Sequence, residues 1–497
     1  MRFRTTGCVS ALLLAGGFVV LGTTAAVAQS STPNSSTKVA IDPRPVVRDP
    51  AVGAIDTWVS GLSQSTLANG LRVVLAPDTE SPTVSVCVTY DVGSRNEVPG
   101  QSGFAHLFEH MMFQGSRNVG KGEHFQLVTA RGGQLNGTTS TDRTNYFETL
   151  PANELELGLW LEADRMHWLD ISAENFENQR AVVKEEYRMR VENAAYRPAL
   201  IELERLIFAG YAPYEHPTIG SMADLDAAKL EWVQDFHARY YAPNNAVLTI
   251  SGGFDTDIAL GLVNKHFGSI ASVNVTSFAN PAVPPLSTSE RRTQVDDVNA
   301  KTEAVLVGWR IPESRTEAHY ALEMAAKILA DGESSLLYES LVRKHSLARD
   351  VSAYTYDHRG PDAFVVTIEL NQNSKRAEVE QLLERHLGQL ATQGPTEEVL
   401  QRAKQRTRSN FVFGLQSNQS RAIALGEYAT YFGDPRLIAK DFEALLRVTP
   451  KDVMTAMSRY LSKAARTLVA VRPVTQPKPA TPSKSTATTN QPKPENR

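Results

Sequence analysis

Two histidines four residues apart, with a glutamate beside the second, occur in the segment Gly103-Phe-Ala-His106-Leu-Phe-Glu109-His110-Met-Met-Phe113. On a helix, residues at this spacing share one face, so His106 and His110 can present two imidazoles to a single metal ion. Glu109 sits at the edge of that face. It can reach a water on the metal without being a ligand. The order is H-x-x-E-H, the reverse of H-E-x-x-H. Two neutral imidazoles and a carboxylate suit Zn²⁺, with a fourth position left open for water. The chemistry this permits is hydrolysis, in which the metal acidifies the water and Glu109 takes its proton. Phe104, Leu107, Phe108, Met111, Met112 and Phe113 belong to the core rather than to the chemistry.

A third ligand must come from elsewhere. The stretch from Glu174 to about Phe208 is predicted as a helix dense in carboxylates. Within it, Arg180-Ala-Val-Val-Lys-Glu185-Glu186-Tyr-Arg places two adjacent glutamates after an apolar stripe. One of them faces the metal and the other faces solvent. Spacing alone does not choose between them.

The elements that carry these groups read as follows. Leu67 to Leu75 is a strand after a turn, and Thr83 to Tyr90 is an alternating strand. The motif helix runs from Gly103 to Phe113 and ends at Gly115. Gln134 to Leu150 is Thr-rich and strand-like, with helices from Glu154 onward. Farther on, Lys301 to Arg310 reads as a strand, Glu317 to Leu329 as a helix, and Ala363 to Leu370 as a strand. Helices then continue to about Ser462. Each half thus reads strand, helix, strand, helices, which predicts an α+β fold of two similar domains, each an antiparallel or mixed sheet covered by helices.

The 497 residues allow this arrangement, with 42% hydrophobic residues to fill the cores. The net charge of −4 excludes a strongly basic nucleic-acid binder. Two cysteines, Cys8 and Cys87, exclude a disulfide framework and a cysteine-built zinc site. The first 28 residues have the charged, apolar, Ala-Val-Ala order of a secretory signal peptide, cleaved near Ala28. That predicts an exported, periplasmic protein with no membrane attachment after cleavage. The remaining expected divisions are a mobile linker over 29–60, a zinc-bearing domain over 61–279, and an inter-domain linker over 280–300. A second domain without the motif covers 301–472, and a Pro/Lys/Thr/Ser-rich disordered tail covers 473–497.

Three segments in order carry a resemblance: His106 to His110, Gln134-Leu-Asn-Gly-Thr-Thr-Ser-Thr-Asp-Arg-Thr-Asn-Tyr-Phe-Glu148, and Val182-Val-Lys-Glu185-Glu186. Together they resemble the inverzincin, or pitrilysin-type, zinc peptidases. The likeness is to the short two-domain branch that includes mitochondrial processing peptidase and exported bacterial members. It spans about Leu62 to Arg472. It implies two repeated α+β domains forming half of a clamshell chamber, with one Zn²⁺ per chain.

Carried over by position, the resemblance makes His106 and His110 zinc ligands and Glu109 the general base. Glu185 becomes the third ligand, with Glu186 as the fallback. In many members a second glutamate lies seven residues before the ligand, a place held here by Asn178. Asn136, Gly137, Thr138 and Thr139 would form the edge strand that an extended peptide joins by main-chain pairing. Family members use an Arg and a Tyr from the second domain to hold the oxyanion. Those positions fall on Val342 and Arg349, with Arg343 as a neighbouring candidate. In the second half, Glu323, Ala326 and Lys327 stand where the motif would be. The resemblance therefore implies an unfolded-peptide hydrolase that pairs with a related zinc-less subunit supplying Arg and Tyr, or with a second copy. A peptide- or partner-binding member with little activity alone is the alternative.

Overall fold

The computed structural model describes residues 49–275 and 278–475. The expected signal peptide, the linker up to residue 48 and the tail from residue 476 lie outside the described residues. Among the described residues, eleven strands form two sheets. The first contains β1 (Ser63–Thr66), β2 (Arg72–Pro77), β3 (Thr83–Tyr90), β4 (Gln134–Thr139), β5 (Thr144–Pro151) and β6 (Ala246–Gly252), in the order β1-β2-β6-β3-β5-β4. The second contains β7 (Arg291–Asp297), β8 (Ala304–Ile311), β9 (Ala348–Thr355), β10 (Asp362–Leu370) and β11 (Thr467–Pro473), in the order β7-β11-β8-β10-β9.

Apart from β1, the two orders are the same. β2 pairs parallel with β6, as β7 does with β11, and every other pairing is antiparallel. The helix Phe104–Met111 lies between β3 and β4, as Glu317–Ala330 lies between β8 and β9. The repeat expected from the sequence is therefore a repeat of topology.

The central strands of each sheet are buried on both faces. Along β3, Val84, Val86 and Val88 point into the core of the first half, which also holds Phe104, Leu107, Phe108 and Met111. The alternate residues Ser85, Cys87 and Thr89 are equally buried. They are covered by the helix Asn418–Phe432, which comes from the second half. Ala422 touches Cys87 and Phe147. A Cβ on Gly426 would lie 2.7 Å from the Thr89 hydroxyl, so that helix sits on the sheet through its smallest residues.

The reverse also holds. The helix Arg197–Ile207, from the first half, lays Ala199, Leu203 and Ile207 against Ala304, Leu306, Val365 and Val469 of the second sheet. A Cβ on Gly308 would overlap Ile207 there. Each half thus lends one helix to the other's sheet.

Three expected boundaries are corrected. The last part of the 29–60 linker is a helix, Pro50–Ser60, whose Val59 joins the core of the second half. Asp49 caps it by accepting from the Ala51 N–H at 2.9 Å, and Pro50 opens it. The 280–300 linker contains β7, an edge strand whose charged sequence carries no apolar alternation. Pro473, assigned to the tail, ends β11.

Candidate metal centre

The motif helix Phe104–Met111 begins at Gly103, which has φ 89°. A Cβ there would also lie 2.7 Å from the Ile219 carbonyl oxygen, so only glycine meets both demands. The first N–H groups of a helix have no partner within it. Here the buried Glu97 carboxylate accepts from the Gly103 N–H at 2.9 Å and the Ala105 N–H at 2.8 Å. His216 Nε2 lies 3.0 Å from the same carboxylate. Four core residues, Phe104, Leu107, Phe108 and Met111, fix the rotation of the helix. His106 and His110 are thereby left on the opposite side, with ring centroids 4.9 Å apart.

The carboxylate helix Ala173–Tyr187 is capped by Ser172, which accepts from the Asn175 N–H. Its buried residues Phe176, Gln179 and Val183 form a stripe at helical spacing. Three residues beyond Val183, that stripe reaches Glu186. Glu186 Oε2 lies 3.1 Å from His110 Nε2 and 3.7 Å from His106 Nε2. Its other oxygen accepts from Arg190 Nε at 2.9 Å. Arg190 sits in the π-helical turn Arg188–Glu192 that continues this helix.

Glu185 points elsewhere. Its side chain is 62% exposed and pairs with Arg188 at 2.9 Å, whereas that of Glu186 is 12% exposed. The expectation for Glu185 is therefore corrected in favour of Glu186. The reason is the 100° step between neighbouring helical residues. The position seven before Glu186 is the buried Gln179, not the exposed Asn178, and Gln179 donates to Asn178 Oδ1 at 2.7 Å.

His106, His110 and Glu186 can each aim one ligand atom at a common point, all within 4.8 Å of one another. Burial, then the nearby His110, push the His106 pKa down to about 4. That keeps a lone pair free for a metal at neutral pH. Burial works to raise the Glu186 pKa, but the His110 hydrogen bond, with His106 and Arg190, brings it below the usual carboxylate range. Two imidazole nitrogens and one anionic oxygen fit an open, four-coordinate zinc site.

Glu109 is held by the edge strand. Thr139 donates its hydroxyl to Glu109 Oε2 at 2.5 Å. Burial raises the Glu109 pKa, against opposing contributions from Thr139, His110 and Arg143. A carboxylate with raised proton affinity suits general-base work.

Among the described residues β4 pairs only with β5, so its outer side is a free sheet edge. Of the four residues expected to bind substrate there, Asn136 is exposed and turns its Oδ1 back on the Gly137 N–H at 2.9 Å. Gly137 is buried beside Glu109, and a Cβ there would lie 3.1 Å from the Glu109 side chain. Thr138 bonds Asn145 and Arg143, and Thr139 bonds Glu109. The two threonine side chains therefore serve the site's own framework. Arg343 is not at this centre's disposal: it lies on the surface, paired with Glu333 and Glu339.

The sequence reading missed Glu97, Arg190 and the Arg143 contacts. The Arg190 contact was within reach, since Arg190 follows Glu186 by four residues. The Glu97 cap on Gly103 and Ala105 is also local, whereas the Glu97–His216 and Arg143–Glu427 contacts are brought together only by tertiary packing.

Known proteins resemble this chain in sequence and in fold. Residues 72–213 match the family model described as Insulinase (Peptidase family M16), and residues 228–407 match the Peptidase M16 inactive domain. A zinc protease named PqqE from Helicobacter pylori is 28% identical over 417 residues, covering 82% of this chain and 92% of that protein. An uncharacterized zinc protease of Mycobacterium tuberculosis is 30% identical over 406 residues, covering 80% and 90%. The crystal structure of a protease from Helicobacter pylori superposes with a TM-score of 0.78 at 28% identity, covering 83% of this chain and 99% of that one. The periplasmic protease PqqL from Escherichia coli shares the fold, with a TM-score of 0.67 at 18% identity over 83% of this chain and 47% of its own.

Proposed function

The chain belongs to peptidase family M16, and on that premise we propose that it is an exported zinc endopeptidase acting on unfolded peptides. The observation that carries this reading is the convergence of His106, His110 and Glu186 beside Glu109 at a free sheet edge. When bound, zinc supplies Lewis acidity to the scissile carbonyl and acidifies the attacking water. Glu109 accepts the proton from that water and carries it to the leaving amine. Thr139 holds the Glu109 carboxylate toward the edge strand throughout. β4 binds an extended peptide through its free main-chain groups, which gives affinity with little sequence choice. An unfolded segment can offer such a strand without disrupting a sheet of its own.

Export rests on the leader-like first 28 residues. In keeping with it, no helix among the described residues is long and apolar enough to cross a membrane. The working enzyme is a pair. This chain spans 47% of the longer periplasmic relative, as one half of a clamshell would. Arg343 is tied to surface glutamates, and Val342 and Arg349 replace the expected oxyanion donors. A related zinc-less subunit therefore supplies those donors and completes the chamber; a second copy of this chain would bring the same Val342 and Arg349. The isolated chain is then chiefly a peptide binder.

The test is hydrolysis of a quenched unfolded peptide, with and without chelator, by the chain alone and with its co-purified partner. Glu109→Gln should retain zinc and lose hydrolysis. An unchanged rate in Glu109→Gln would remove Glu109 from the mechanism. Full activity of the isolated monomer would remove the partner.

A further inference from the structure

The second half carries no part of the metal centre, yet one of its side chains reaches the strand that holds the general base. Glu427, on the helix Asn418–Phe432, accepts from Arg143 Nε at 2.6 Å. Arg143 lies in the tight connection between β4 and β5. Its Nη1 donates to the Thr138 carbonyl oxygen at 3.0 Å and to the Thr138 hydroxyl oxygen at 2.5 Å. Thr138 in turn donates its hydroxyl to Asn145 Oδ1 at 2.6 Å. The next residue is Thr139, whose hydroxyl holds Glu109.

The chain of contacts runs from Glu427 through Arg143 and Thr138 to Thr139 and Glu109. Both charged side chains are nearly buried, Arg143 at 13% and Glu427 at 8% exposure.

A buried ion pair contributes little net stability, because desolvation offsets the attraction. What it can supply is geometry. An edge strand has a neighbour on one side only and is the part of a sheet most ready to fray. β4 must stay open on its outer side to take up a peptide, so a second strand cannot steady it. A guanidinium can do so, because its planar fork binds a carboxylate and a carbonyl at once.

We propose that Glu427 and Arg143 are positioning residues, through which the zinc-less half clamps the substrate strand and orients the general base. This rests on the peptidase reading above.

The experiment uses the zinc-loaded full chain, with its partner if activity requires one. Glu427→Gln removes the charge and keeps the shape. Its kcat should fall by about tenfold or more, since small misplacements at a reacting centre have effects of that size. Zinc stoichiometry should not change, and the amides of residues 134–139 should exchange hydrogen faster. Thr138→Val, which leaves the domain interface intact, should also lower kcat.

Arg359→Gln is the control. It breaks a different inter-domain pair, Arg359 Nη1 to Asp91 Oδ1 at 2.5 Å, and should leave kcat unchanged. The proposal is overturned if Glu427→Gln keeps wild-type kcat and exchange, or if Arg359→Gln loses kcat equally. If Glu427→Gln does not fold, Thr138→Val decides: wild-type kcat in that variant also overturns the proposal. If the wild-type protein hydrolyses nothing, the peptidase reading fails, and the exchange comparison alone decides for or against the clamp.

Discussion

Of two adjacent glutamates, replacing one should weaken metal binding and replacing the other should leave it unchanged. Glu186→Gln removes an anionic oxygen that lies 3.1 and 3.7 Å from the two imidazoles. Loss of a group that merely supports a ligand lowers metal affinity about 10- to 100-fold, so loss of the ligand itself should lower it by about 100-fold or more. Native-state stabilisation by a bound metal follows RT ln(1 + [L]/Kd), and a 100-fold weaker Kd at high zinc removes about 2.7 kcal/mol. Unfolding roughly 425 folded residues releases about 0.9 kcal/mol/K at the midpoint. The zinc-induced rise in Tm should therefore be about 3 °C smaller in Glu186→Gln than in the wild type.

Glu185→Gln loses only an exposed pair with Arg188, worth less than about 1 kcal/mol, and should show the full zinc-induced rise. The assay is thermal unfolding of metal-free protein titrated with zinc, with bound metal counted independently. A full zinc response in Glu186→Gln, together with its loss in Glu185→Gln, would refute the assignment.

Other expectations are as direct. His319 is fully buried, which by itself would lower its pKa, but Asp362 at 2.8 Å, with Asp357 and Glu323, raises it to about 9. The folded state thus holds that proton more tightly than the unfolded chain. The resulting stability is complete below about pH 6.5 and lost as pH rises through about 9, and thermal melts of His319→Gln should lack this alkaline decline. Gly103→Ala should destabilise the first half by more than about 1 kcal/mol, through strain at φ 89° and the contact with Ile219, and should weaken zinc binding measured by titration. Glu97→Gln should lower stability by about 1–2 kcal/mol in chemical denaturation, because it weakens the cap on two N–H groups of the motif helix.

The legible part of this protein was the part written in local periodicity. His106 and His110 are four apart on a helix that exists, and both sheets repeat one strand order. The choice between Glu185 and Glu186 was also legible, had the stripe Phe176, Gln179 and Val183 been extended by one turn. The helix Pro50–Ser60 was signalled by Asp49-Pro50 but obscured by the polar residues before it. β7 was hidden for another reason: an edge strand with a charged sequence has no apolar alternation to read. The Arg143–Glu427 pair joins residues 284 positions apart, for which a single chain offers no spacing rule, whereas the Glu97 cap reaches only six and eight residues ahead. Buried Ser85, Cys87 and Thr89 show the same limit, since alternation implied two faces but not what covers the second.

The exchanged helices, Arg197–Ile207 on the second sheet and Asn418–Phe432 on the first, bear on how the chain can be divided. A fragment ending near residue 280 would carry a helix with no sheet to cover and a sheet with no lid. Alone, each such fragment presents a buried-type surface to water and should aggregate. Mixed, the two fragments should reassemble, because each already carries the piece the other lacks. The covalent link between the halves then matters less to the native state than the trade of helices. Limited proteolysis in that link should leave a nicked molecule that stays together and keeps its metal.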